Sequence, residues 1–180
     1  VKTLYLAEKH RVLEGRKNSR GTSESVLCGL WWIALTAQRT SAGLALEQEH
    51  ILPWPGGREG WKICVWSELV MKSRRYHALP IPPRVLMLLE RAMSGRGKDS
   101  KYVFAGTATR QGQGDKPISI SSPKNLLDRL RGRPVNLGKR EEELRDGLPD
   151  LLGVAGVSHY SPHDIRRTFA TTCSDRSVRG

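Results

Sequence analysis

A chain of 180 residues with 38% hydrophobic and 27% charged side chains is long enough for one domain with a real core and barely long enough for two. Its longest apolar stretch, around Leu30–Leu35, falls far short of the ~20 residues a spanning helix needs, which excludes a helical membrane protein. Thirty Lys and Arg against eighteen Asp and Glu leave a net charge of +12, a balance that points to a polyanionic partner, most often nucleic acid.

Residues 1–20 hold one apolar cluster (Leu4, Leu6, Val12, Leu13) in a basic stretch, read as a short helix and a mobile link. From Ser23 to about Gln38, Val26, Leu27, Leu30, Trp31, Ala34 and Leu35 recur at helical spacing, with Glu24 in the first turn. Leu44 to Leu52 fits helix and strand equally, and Pro53 to Gly57 is a turn. Trp61, Ile63 and Val65 alternate as in a strand, and Tyr76 to Ile81 reads as a second, antiparallel one. The segment between them carries Lys72, Arg74 and Arg75, so the pair presents a basic tip.

Pro83 then opens a helix through Val85, Leu86, Leu88, Leu89 and Met93, stopped by Gly95. Residues 105–119 read as a loop, Ser121-Ser122-Pro123 opens a helix, and Lys139 to Leu144 reads as a short charged helix. Gly147 to Tyr160 reads as a loop. The whole is a mostly helical α+β chain with a small antiparallel sheet. The five tryptophans fall in apolar patterns and read as core and turn packing rather than as base-stacking platforms. Cys28, Cys64 and Cys173 are odd in number and lack CxxC spacing, so neither a disulfide framework nor a zinc module is indicated. With no secretory leader, a cytoplasmic, nucleoid-associated location is expected.

The most informative segment is Ser161-Pro162-His163-Asp164-Ile165-Arg166-Arg167. Ser161 can cap a helix, Pro162 suits its first position, and Asp164 stands where an acidic side chain returns the capping bond. His163 and Arg166 share one helical face, while Ile165 and Phe169 share another that can anchor the helix in a core. The helix N-terminus carries free N–H groups and partial positive charge, so an imidazole and a guanidinium there are placed to meet a phosphate.

Arg39 in Thr36-Ala37-Gln38-Arg39-Thr40-Ser41, Lys72 in the hairpin, and His163-x-x-Arg166 follow one another in an order that resembles the catalytic domain of tyrosine recombinases, the phage-integrase family. The resemblance runs from about Leu4 to Thr172. It implies the DNA breaking-rejoining fold and phosphoryl transfer through a 3′-phosphotyrosyl intermediate, with no nucleotide cofactor and no metal. Arg39 and Arg166 would grip the non-bridging oxygens of the scissile phosphate, for which planar, permanently charged guanidinium groups are suited. Lys72 would protonate the departing 5′-oxygen, and His163 would accept or orient the proton of the attacking tyrosine. Arg74, Arg75 and Arg167 would contact the DNA backbone, and His77 on the returning strand either packs in the sheet with Leu79 and Ile81 or serves as an accessory residue beside Lys72.

The implied partners are double-stranded DNA attachment sites, bound by a tetramer of the full-length protein. Two departures stand out. Where the family carries an acidic residue three positions after its first arginine this chain has Ala42, so a carboxylate holding Arg39 is absent or comes from elsewhere, with Glu47 and Glu49 as candidates. Tyr5, Tyr76, Tyr102 and Tyr160 all precede His163, so none matches the nucleophile. Residues 1–180 are therefore expected to form a single catalytic core without the clamping domain and the downstream tyrosine segment. The rival reading is a non-catalytic DNA-binding or regulatory protein that retains the fold. A basic RNA-binding domain would interleave aromatic and basic residues on an exposed sheet, which these strands do not.

Overall fold

The computed structural model describes residues 2–10, 21–68, 74–94, 99–106, 114–133 and 149–178, with side chains to residue 172. About half of these residues are helical, and one three-stranded antiparallel sheet joins them, so the α+β expectation holds at that level. Among the described residues no helix is long and apolar enough to cross a membrane.

Helix α1 (Lys2–Lys9) leads to α2 (Glu24–Thr36), around which the rest is arranged. Ser23 caps α2, its hydroxyl accepting from the Val26 N–H at 3.4 Å. Apolar residues surround this helix on nearly every side, and it is covered along most of its length, Leu35 near its end being 47% exposed. It separates two cores. Cys28, Trp32 and Ile33 meet Leu44, Leu46, Trp66, Leu89 and Phe104 on one side. Leu27 and Leu30 meet Leu4, Leu126, Leu127, Leu130 and Leu152 on the other.

After α2 come the five-residue α3 (Thr40–Leu44), a 3-10 turn (Gln48–His50) and the strands β1 (Ile51–Pro53), β2 (Lys62–Trp66) and β3 (His77–Ile81), in sheet order β1-β2-β3. The β2–β3 pair expected from alternation is present, with Cys64 opposite Leu79 and Trp66 opposite His77. Cys64, Trp66 and Ile81 point into the first core, and burial pushes the Cys64 thiol far above its usual range. Strand β1 resolves the ambiguous stretch after Leu44. The turn before it is held by reciprocal bonds between Glu47 and His50, with the Glu47 N–H donating to His50 Nδ1 at 3.1 Å.

Helix α4 (Pro83–Ser94) packs on α2, and Arg91 ties it down with a forked pair to Glu8 of α1 (2.8 and 2.9 Å) and a bond to Glu24 of α2 (2.8 Å). Helix α5 (Ser122–Leu130) starts where Ser121-Ser122-Pro123 predicts it. The stretch read as a loop before Ser161 contains a short helix, α6 (Leu151–Val154), capped by the Asp150 carboxylate, which accepts from the Gly153 N–H at 2.7 Å. Of the loop expected over 105–119, residues 107–113 lie outside the described residues, and an Ala105–Pro117 bridge joins the described parts on either side. Lys72, the mobile link expected over 11–20 and the charged helix expected at Lys139–Leu144 lie outside the described residues.

The last helix, α7 (Pro162–Val178), lies against α2. The apolar face expected to anchor it in a core does not do so. Ile165 is only partly covered and Phe169 is 48% exposed. Together with Ala34 and Tyr160 they line an open apolar groove of about 400 Å³. Four-residue spacing puts two side chains on one face, but covering that face takes a neighbour.

Candidate phosphate-binding site

The C-terminus of α2 faces the N-terminus of α7. Ala37 closes α2 in the left-handed region (φ 52°, ψ 26°) and turns the chain sharply, so that Gln38 points inward and Arg39 outward. Its carbonyl accepts from Arg166 Nη1 at 2.7 Å, a bond across 129 residues. The end of a helix concentrates partial negative charge on its carbonyls, and a guanidinium is a suitable partner for them. This contact uses one of the five N–H donors of Arg166.

Arg39, Ser41, His163 and Arg166 line a concavity of about 540 Å³ between these two helix ends. A second one, of about 360 Å³, adjoins it, shares Gln38, Arg39 and Arg166, and is closed by His77 and Phe169. Arg39 and His163 are exposed and Arg166 is half-buried. The structure thus brings Arg39, His163 and Arg166 together from opposite ends of the chain and puts His77 at the neighbouring wall. Arg74, in the left-handed region at φ 49°, and Arg75 are exposed at the start of the segment leading into β3. Arg167 is exposed and 4.0 Å from Asp164.

The α7 cap differs from the expected one in one respect. Asp164 does return the bond, accepting from the Ser161 N–H at 2.8 Å, but the Ser161 hydroxyl donates to the same carboxylate oxygen at 2.7 Å instead of accepting from the helix. An ionised acceptor attracts the hydroxyl proton more strongly than the backbone N–H attracts its lone pair. These two bonds, the backbone one first, hold the Asp164 carboxyl below its usual range.

Neither acidic residue considered for holding Arg39 does so. Glu47 pairs with Lys101 at 2.9 Å, and Glu49 points to solvent. Among the described residues the Arg39 guanidinium has no hydrogen-bond or ion-pair partner. Tyr160 lines the apolar groove rather than the basic concavity, and burial pushes its phenol above the usual range, against activation as a nucleophile.

Sequence reasoning missed Gln38. It is nearly buried, its Nε2 donates to the Thr36 carbonyl at 3.2 Å, and its Oε1 meets His77 Nε2 at 3.0 Å. The signal available was an amide just past the end of an apolar helix, beside an arginine. The chain matches no protein-family model, and no curated protein or solved structure is detectably similar to it.

Proposed function

We propose that this chain is the phosphate-gripping core of a DNA strand-transfer enzyme of the tyrosine-recombinase type. The observation that carries this reading is the meeting of Arg39, His163 and Arg166 around one open concavity, although the first and last are separated by most of the chain. Two guanidinium groups and an imidazole at the N-terminal end of a 17-residue helix suit a tetrahedral or pentavalent phosphate oxyanion. The net charge of +12 suits a duplex backbone beyond that single phosphate.

In this scheme Arg39 and Arg166 bind the non-bridging oxygens and His163 handles the proton of the attacking hydroxyl. Lys72 serves as the acid for the leaving 5′-oxygen, and Arg74, Arg75 and Arg167 track neighbouring phosphates. No tyrosine of this chain is assigned as the nucleophile. A DNA-binding protein without catalysis would use the same arginines, and the mixture of imidazole and guanidinium groups favours the enzyme.

Titration of a fluorescently labelled random-sequence duplex at two salt concentrations tests the reading. Binding should weaken steeply with salt and depend little on sequence. R39A and R166A should each lower affinity about tenfold or more, the loss expected for a charged hydrogen bond. Binding that ignores salt, or is unchanged in both variants, rules the proposal out.

A further inference from the structure

The geometry around Gln38 defines its neighbours' protonation. The Thr36 carbonyl can only accept, so the amide nitrogen faces it and the amide oxygen faces His77. An amide oxygen can only accept as well, so Nε2 is the protonated nitrogen of the His77 ring. That ring lies against Trp66, with centroids 5.4 Å apart and planes 27° from parallel. Trp66 is fixed in the first core at 1% exposure. A continuous series of contacts thus runs from the core through Trp66, His77 and Gln38 to the residue before Arg39. It crosses from β3 to the α2–α3 junction, 39 residues away in sequence.

We propose that Gln38 and His77 form a strut that sets the position of the Arg39 guanidinium, which makes both of them positioning residues; the inference rests on the phosphate reading above. Arg39 needs such a support. Its side chain has no partner among the described residues, and the backbone leading to it passes through a left-handed residue between two helices. With no described residue gripping the guanidinium itself, its reach into the concavity depends on where the backbone at residue 38 is held. Gln38 is 9% exposed and both ends of its amide are used, one inside its own turn and one on the sheet. A hydrophobe at this place would fill the same space without choosing a rotation of the junction.

The test is duplex binding by H77F, Q38M and H77Q, each made in the Arg39 protein and again in R39A. In the Arg39 background H77F and Q38M should each weaken binding by about threefold to tenfold, the fold-change one hydrogen bond carries. In R39A the same changes should have less than about a twofold effect, because the strut acts through the arginine. H77Q, which can offer an N–H near the Nε2 position, should retain most of the affinity. Q38M leaves the Trp66–His77 stack in place and so runs the comparison independently of how well H77F folds. Nitrogen-15 spectra at a pH that keeps the ring neutral should show His77 protonated at Nε2. Equal losses in both backgrounds, or a ring protonated at Nδ1, would overturn the strut. So would a strong R39A effect with none from H77F or Q38M, which leaves the phosphate reading standing. Wild-type binding by R39A and R166A would instead overturn that reading and this inference with it.

Discussion

In the proposed site Arg166 has two separable tasks, holding the Ala37 carbonyl and binding phosphate, and comparing R166M with R166K should divide them. Methionine keeps the apolar stem but removes the 2.7 Å bond to the Ala37 carbonyl. A hydrogen bond from a charged donor contributes about 1.5–3 kcal/mol, but this site is only half-buried and water can replace the guanidinium. The loss is therefore at or just below the lower end of that range, about 1–1.5 kcal/mol. In a domain of this size each kcal/mol moves the melting temperature by about 2–4 °C, so R166M should melt about 2–6 °C below the wild type. R166K retains a positive charge at the α2 C-terminus and should recover about 0.3–1 kcal/mol of that loss. Lysine lacks the planar fork, so duplex affinity should stay near the R166M value even as stability returns. Circular dichroism melts and duplex titrations on the three proteins are the assays. Melting of R166M within a degree of the wild type would refute the reasoning, because α7 would then be seated on α2 without this bond.

Three further outcomes follow from the packing. The Asp164 carboxyl is held below its usual range, so its contribution to stability is present above the ordinary carboxylate range and lost as pH falls through the folded value. D164N should lower the urea midpoint at neutral pH, and its gap from the wild type should close on acidification; a gap independent of pH would contradict the cap. At Gly43 an added Cβ would stand 3.1 Å from Trp32 Nε1 and 3.3 Å from Gln38 Cβ. The buried Trp32 ring leaves little room to give, so overpacking should outweigh the helix propensity alanine gains, and G43A should cost up to about 2 kcal/mol and shift the His77 ring resonances, both read in one denaturant and NMR series. R91A breaks partly exposed pairs to two helices and should cost about 1 kcal/mol, less in high salt. A salt-independent loss would mean that packing of the arginine stem, not charge, holds α4.

What could be read from the chain alone was what local chemistry settles. Ser23 and Pro162 mark the starts of α2 and α7 because caps act within one turn, and the alternation around Ile63 and Val65 marks β2 as a strand, although the face that is buried is the other one, carrying Cys64 and Trp66. Strand β1 escaped because Ile51–Pro53 is three residues long and owes its existence to pairing with β2. Helix α6 escaped because four residues carry no period, and only the Asp150 cap announces it. Phe169 was misread because spacing names a face without saying what covers it. At the candidate site, the order Arg39, His163, Arg166 was visible, but the Arg166–Ala37 and His77–Gln38 bonds join residues that are distant in sequence. Glu47 could not be assigned without knowing that Lys101 would take it.

The central claim is that Arg39, His163 and Arg166 hold one phosphate. Tungstate, a heavy tetrahedral oxyanion, soaked into crystals of the protein tests this directly through its anomalous scattering. A peak is expected in the concavity between the α2 and α7 ends, within hydrogen-bond reach of both guanidinium groups, and should be lost in R39A and in R166A. Tungstate bound elsewhere on the basic surface, with that concavity empty in the wild-type protein, would contradict it.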